Sequence, residues 1–188
     1  MAESPNPRAD QRTTARIAIV TVSDRASRGE YEDKGGPAAE DWLREVITSP
    51  LEITREIVPD GREGVAATLR KLADGEGADL ILITGGTGPA PRDETPEALA
   101  DVIEKELPGF GEEMRRASLA EGVPTAILSR QTAGIRDACL MILLPGKPAA
   151  IATCLDAVFA AVPYCLDLIG AARIETNPAR IAAFRPKG

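Results

Sequence analysis

Three stretches of the chain are apolar almost without a break: Ile17 to Val22 (IAIVTV), Leu80 to Ile83 (LILI) and Cys139 to Leu144 (CLMILL). Runs this short, bounded by turn residues, predict strands buried on both faces, the kind found in parallel sheets covered by helices. Leu51 to Val58 (LEITREIV) mixes polar and apolar positions and predicts a strand nearer an edge. Helical spacing fills the intervals. After Pro37, Trp42 pairs with Val46 and Leu43 with Ile47; Val65, Leu69 and Leu72 share a face; Leu99, Val102 and Ile103 follow Thr95-Pro96. Thr95 is a suitable N-cap with Pro96 at the first helical position, and Asp60 with Glu63 makes an acidic capping-box pattern. From Pro148 to Ile169 one long stripe runs through Ile151, Leu155, Val158, Val162 and Leu166, with Pro163 predicting a kink.

The alternation of strand and helix predicts an open, three-layer αβα sandwich with a mostly parallel sheet and right-handed crossovers. Ligands of such sheets bind beyond the C-terminal ends of the strands. Residues 1–15 read as a disordered arm and 16–188 as a single domain, with the tail from Ala171 to Gly188 lying loosely across it.

Composition narrows the function classes. At 188 residues the chain can bury a sizeable core without disulfides or metals. Aromatic residues make up only 3%, so faces on which bases could stack are scarce, and the net charge of -7 argues against nucleic acid, whose affinity comes mainly from Lys and Arg. The chain has no histidine, which removes Ser-His-Asp and Cys-His chemistry. Cys139, Cys154 and Cys165 sit in apolar surroundings rather than in ligand spacing, which suits reduced thiols and not zinc. The polar N-terminus lacks the core of a signal peptide, and no window reads as the roughly 18 apolar residues of a membrane span, so a cytoplasmic protein is expected.

The strand ends carry the candidate chemistry. Thr84-Gly85-Gly86-Thr87-Gly88 follows the LILI run, and glycines allow backbone N–H groups to converge on phosphate or carboxylate oxygens. The loop is neither GxxxxGK[ST] nor GxGxxG, and taken alone it reads equally as a tight turn. The first strand ends in Ser23-Asp24-Arg25, followed by Arg28, Lys34, Gly35 and Gly36; the second ends in Pro59-Asp60; the last ends in Pro145-Gly146-Lys147-Pro148. Asp60 has helix capping as its plain reading. Asp93 either makes an Asx-turn ahead of Thr95 or, beside a phosphate cradle, helps to hold Mg²⁺. Arg25, Arg28, Lys34, Arg92, Arg130 and Lys147 are each ordinary solvated charges, but they share a placement at or near the strand ends.

Several motifs then occur in order: VTVSDRASRGEYEDKGGPA, TGGTGPAPRDETPEAL, LPGFGEEMR, PTAILSRQTAGIR, LLPGKP and VPYCLDLI. Together they resemble the molybdopterin adenylyltransferases of molybdenum-cofactor biosynthesis, the MogA type within the MogA/MoaB/gephyrin G-domain family. The likeness runs from about Arg16 to Pro186, and the ETNPARIAAFRPKG tail is similar to the bacterial stand-alone enzyme rather than to the shorter MoaB-type paralogues. The resemblance implies a MogA/MoaB-like α/β fold that assembles as a homotrimer. It also implies ATP and Mg²⁺ as reactants in adenylylation of the terminal phosphate of molybdopterin, with release of pyrophosphate, and a molybdenum-insertion protein as a candidate partner. On this chain it assigns catalytic roles to Asp60 and Asp93, both candidate Mg²⁺ ligands, and substrate binding to Ser23, Asp24, Arg25, Thr84, Gly85, Gly86, Thr87, Gly88, Pro145, Gly146 and Lys147.

Such a reaction needs no histidine, because the attacking phosphate oxygen is already ionised at neutral pH and catalysis reduces to positioning and charge neutralisation. Two other readings stay open: a MoaB-like protein that binds molybdopterin without turning it over, and a Rossmann-type oxidoreductase or methyltransferase, against which the missing GxGxxG counts.

Overall fold

The computed structural model describes residues 13–187. Six strands form one sheet: β1 (Ala15–Val22), β2 (Leu51–Val58), β3 (Leu80–Thr84), β4 (Lys105–Glu106), β5 (Ala133–Arg136) and β6 (Cys139–Leu144), in the order β2-β1-β3-β6-β5-β4. The first four in that order run parallel, and β5 and β4 add antiparallel to the far edge. The mixed strand β2 is an edge strand, as its alternation predicts. The short β4 and β5 have no counterpart in the hydrophobic pattern. β5 is AGIR, and its Gly134 is required because a Cβ there would stand 2.5 Å from the Ile103 side chain.

The continuous apolar runs divide by the two-residue period of a strand. Ile17, Ile19, Leu80, Leu82, Leu140, Ile142 and Leu144 face one helical layer: α2 (Gly35–Val46), α5 (Pro108–Ala120), α6 (Pro148–Val158) and α7 (Val162–Ile169). Ala18, Val20, Val22, Ile81, Ile83, Met141 and Leu143 face the other, built by α3 (Arg62–Arg70) and α4 (Thr95–Ala100). Each Leu or Ile buried in this way contributes about 2 kcal/mol of transfer free energy. With both faces covered, the strand ends and their loops are what remain to meet a ligand. A short helix, α1 (Asp24–Ser27), turns the chain directly after β1.

Both expected helix starts differ from the pattern. α3 begins after Gly61, which makes no side-chain cap, and Asp60 instead turns its carboxylate toward β1. α4 begins at Thr95 itself, with Glu94 in the cap position and no capping side chain; the Thr95 hydroxyl points at Gly86 rather than back along its own helix. The Pro148–Ile169 stretch breaks into α6, a 3₁₀ turn at Phe159–Ala161 and α7, because Pro163 has no N–H to give and its ring crowds the carbonyl four residues back. Contrary to the expectation that no window is apolar enough, the 22-residue stretch Pro148–Ile169 has the length and apolar composition of a membrane span. Its stripe nevertheless packs in the core, where Trp42 meets Phe159 edge-on at 4.8 Å.

The C-terminal tail is held tightly rather than loosely. Ala171, Ala172, Ile174 and Ile181 are buried, Ile47 bridges Thr176, and Ala172 N donates to Oδ1 of the fully buried Asp79 at 3.0 Å. The apolar positions in ARIETNPARI cap the open end of the layer that α2 and α7 build, which their scattered spacing hides in the sequence. Residues 1–12 of the expected N-terminal arm, and Gly188, lie outside the described residues; Ala15, assigned to that arm, is fully buried as the first residue of β1.

Candidate functional site

The glycine loop after β3 is shaped by close approaches. Gly85, at φ +102°, lies so near β1 that a Cβ would stand 2.3 Å from the Val22 carbonyl oxygen. Gly86, at φ +64°, would place a Cβ 2.1 Å from Thr95 Oγ1, and Gly88 would place one 2.6 Å from Asp93 Oδ2. Gly85 and Gly86 combine a positive φ with the close approach and require glycine, whereas at Gly88 a Cβ would displace the Asp93 carboxylate. The loop is tied to the end of β6: Thr84 Oγ1 donates to Pro145 O at 2.8 Å, and Gly85 N donates to Leu144 O at 3.3 Å. The N–H groups of Gly86, Thr87 and Gly88 have no hydrogen-bond acceptor among the described residues.

Two carboxylates flank this cradle. Asp60 Oδ1 lies 3.8 Å from the place a Gly86 Cβ would take, and Asp93 packs against Gly88 while its Oδ2 accepts from Ala90 N at 3.2 Å. Asp93 bonds backward to Ala90 and makes no Asx-turn toward Thr95. Partial burial, and then the neighbouring charge of Asp93, push the Asp60 carboxyl above the ordinary carboxylate range against a smaller pull from Arg28.

Asp24 joins the two ends of the cleft. Its Oδ1 accepts from Asp60 N at 3.1 Å while Asp60 Oδ2 accepts from Asp24 N at 3.0 Å, and its Oδ2 pairs with Arg92. Ser23 caps α1 by accepting from Ala26 N at 3.2 Å, and the Arg25 guanidinium lies 5.2 Å from the centre of the Tyr31 ring. Gly146 faces Gly85, with a Cβ there 3.7 Å from the Gly85 Cα, and Lys147 is exposed at the head of α6. The structure therefore brings the SDR, IVPD, TGGTG, PRDET and PGKP turns to one end of the sheet. A cavity of about 160 Å³ opens among Ser23, Asp33, Lys34, Thr84, Gly85 and Gly146.

Asp33 is not singled out by the motifs above, and the partners of Arg130 are not legible in the sequence. Asp33 organises the start of α2: its Oδ1 accepts from Gly35 N and Gly36 N at 3.0 and 3.1 Å, and its Oδ2 accepts from Thr21 Oγ1 at 2.9 Å. An aspartate two residues before a glycine pair was the available signal. Arg130, already among the charges grouped near the strand ends, reaches back across the loop to Gly88, Asp93 and Glu97 from a segment distant in sequence, and it is these partners that no local pattern gives. On its far side a larger cavity of about 490 Å³ is lined by Arg115, Gln131, Thr132, Glu104 and Glu106.

Residues 18–164 match the family model described as a probable molybdopterin binding domain. The chain belongs to this molybdopterin-binding family. Among curated members, the molybdopterin adenylyltransferase of Helicobacter pylori (strain J99) is 53% identical over 174 residues, covering 93% of this chain and 98% of that protein. The Escherichia coli K12 protein of the same name is 47% identical over 186 residues, with 93% and 95% covered. Among solved members, the molybdopterin biosynthesis enzyme MoaB of Thermus thermophilus superposes with a TM-score of 0.76 at 42% identity, covering 83% of this chain and 96% of that one. The molybdopterin biosynthesis Mog protein of Mycobacterium ulcerans gives 0.76 at 34%, with 82% and 99% covered. The mostly parallel sheet is thus the fold of this molybdopterin-binding family.

Mg²⁺ is the metal that the resemblance implies, and paired carboxylates are the donor type that suits it. Two carboxylates repel across the mouth of an anion cradle, and magnesium is commonly held by one or two carboxylates together with phosphate oxygens. Among the described residues no group of three or more His, Cys, Asp or Glu gathers around a point, so two carboxylates are the most these turns offer a cation.

Proposed function

We propose that this protein adenylylates molybdopterin in molybdenum-cofactor biosynthesis: an oxygen of the terminal phosphate of molybdopterin bonds to the α-phosphorus of ATP as the bond to the β-phosphate oxygen breaks and pyrophosphate leaves. The observation that carries the reading is near-full-length identity to enzymes of that name, in a chain whose glycine cradle and two flanking aspartates meet at one end of the sheet.

The geometry supports the following roles. The free N–H groups of Gly86, Thr87 and Gly88 offer fixed donors to phosphate oxygens, and fixed donors cost no reorganisation as charge shifts. Asp60 and Asp93 would hold Mg²⁺, which neutralises phosphate charge when bound. Asp24 and Arg92 keep the two aspartate-bearing turns together. Lys147, exposed beside Gly146, is placed to meet an anionic group. No residue has to remove a proton from the nucleophile, which agrees with a chain that lacks histidine.

A homotrimer, a cytoplasmic setting and hand-over to a molybdenum-insertion protein complete the reading. Exposed Val123, Ile127 and Leu128 supply apolar surface for self-association, and three unpaired cysteines suit a reducing compartment. Light scattering at micromolar concentration should give three times the monomer mass. The decisive experiment incubates the purified protein with ATP, Mg²⁺ and molybdopterin and follows adenylylated pterin and pyrophosphate. Equal amounts of both support the proposal, whereas tight pterin binding with neither product would favour a carrier role.

A further inference from the structure

Arg130 lies 37 residues beyond Asp93 in the sequence and reaches back across the loop that carries it. Its own N–H donates to Thr87 O at 2.8 Å and its Nε–H to Gly88 O at 3.1 Å. One end of the guanidinium donates to the Asp93 carbonyl and the other pairs with Glu97 at the start of α4. The same side chain therefore grips both stems of the Gly88–Asp93 hairpin and fastens them to a helix. The hydrogen bond that the Asp93 carboxylate accepts is the local one from Ala90 N, and apart from the Arg92–Asp24 pair the outer residues of its loop, Pro89, Ala90 and Pro91, are exposed, so the loop depends on support from elsewhere.

We propose that Arg130 is a positioning residue of the reaction: by holding the carbonyls of Gly88 and Asp93 it fixes the Asp93 carboxylate at the mouth of the glycine loop. This rests on the adenylyl-transfer reading for its catalytic consequence but not for its structural one. The requirement is for shape as much as charge. A planar fork can address three acceptors on separate residues at once, and a lysine ammonium on its flexible stem cannot. Glu97 serves as an anchor, so an amide there, which keeps an acceptor oxygen, should hold Arg130 nearly as well.

The test compares the wild type with Arg130→Lys, Glu97→Gln, Asp93→Asn and the Arg130→Lys/Asp93→Asn pair. Removing a residue that orients a metal-binding carboxylate typically costs tenfold to a hundredfold in metal affinity or activity. Arg130→Lys should raise the Mg²⁺ concentration for half-maximal turnover about tenfold while the KM for molybdopterin moves less than twofold, and the double variant should be no slower than Asp93→Asn alone. Glu97→Gln should stay within about threefold of the wild type on the same axis. Hydrogen exchange on the ligand-free proteins supplies a readout independent of the chemistry: amides of residues 88–94 should exchange faster in Arg130→Lys while the melting temperature holds within a few degrees. Unchanged exchange in that segment overturns the proposal. So does a Mg²⁺ dependence like the wild type's, or an Arg130→Lys loss that multiplies in full with that of Asp93→Asn. A wild type that forms no adenylylated pterin refutes the functional reading and leaves the exchange result to decide the positioning role.

Discussion

Asp24 and Asp60 each accept a hydrogen bond from the other's backbone N–H, at 3.1 and 3.0 Å, so the turns leaving β1 and β2 are clasped by two carboxylates. The arrangement gives Asp60 two separable duties. One oxygen, Oδ2, joins the clasp, and the other, Oδ1, faces Gly86. Asp60→Asn keeps an acceptor for the Asp24 N–H and loses the charge. Asp60→Ala loses both, stranding a half-buried donor at a cost of about 1–2 kcal/mol. The expected result is a urea midpoint near the wild type's for Asp60→Asn and a lower one for Asp60→Ala, with turnover reduced at least tenfold in both. Wild-type turnover in Asp60→Asn would confine the residue to the clasp.

The glycine loop makes a sharper stability prediction through a pair of substitutions. Gly85→Ala sets a Cβ 2.3 Å from the Val22 carbonyl oxygen at φ +102°, and neither backbone can withdraw without disturbing the central strands. Gly146→Ala, across from it, meets nothing closer than 3.7 Å. Gly85→Ala should therefore lose about 3 kcal/mol or more, while Gly146→Ala stays within about 1 kcal/mol. Chemical denaturation of the two variants side by side checks the contrast, and equal midpoints would mean that the loop adapts to the extra methyl group.

What the sequence revealed and what it hid divide along a physical line. The apolar runs of β1, β3 and β6 were legible because a doubly covered strand needs apolar residues at every position, and the edge character of β2 showed as alternation. The site could be located at the strand ends because the fold class dictates it, and the glycine loop was visible as composition. The hidden parts depend on contacts between distant segments. Asp60 reads locally as a helix cap, yet its carboxylate turns to Asp24, 36 residues away. Thr95 reads as a cap, yet its buried hydroxyl has no hydrogen-bond partner among the described residues and lies against Gly86. β4, only two residues long and exposed, has too little burial to leave a pattern.

Lys147 tests how far the anion cradle extends beyond the glycine loop. It is exposed at the head of α6, where its carbonyl accepts from Ile151 N at 3.0 Å and its side chain makes no capping bond, so Lys147→Ala should leave the fold intact. If the ammonium meets a substrate phosphate, its loss should weaken binding by about 1 kcal/mol or a little more, typical of a charge-assisted contact. Calorimetric titration with ATP and separately with molybdopterin identifies which substrate it serves. Unchanged affinity for both would make Lys147 a bystander.

Asp93→Asn isolates the charge that the metal-site reading requires. The amide oxygen can still accept from Ala90 N, and the Asp93 carbonyl that Arg130 grips is backbone, so the hairpin should keep its shape and the melting temperature should stay near the wild type's. Losing the charge should also relieve the repulsion that Asp60 feels, which makes stability slightly more favourable rather than less. The rate should move the other way. If Asp93 holds Mg²⁺ against the phosphate under attack, a neutral ligand in its place forfeits several kcal/mol of transition-state stabilisation, on the order of a hundredfold or more in turnover. Adenylylated pterin formed per unit time at saturating Mg²⁺, measured with the melting curve of the same preparation, reads both effects. A variant that folds as well as the wild type and turns over a hundredfold more slowly assigns the carboxylate to the chemistry; near-normal turnover would refute that assignment and leave Asp93 as a support for the loop.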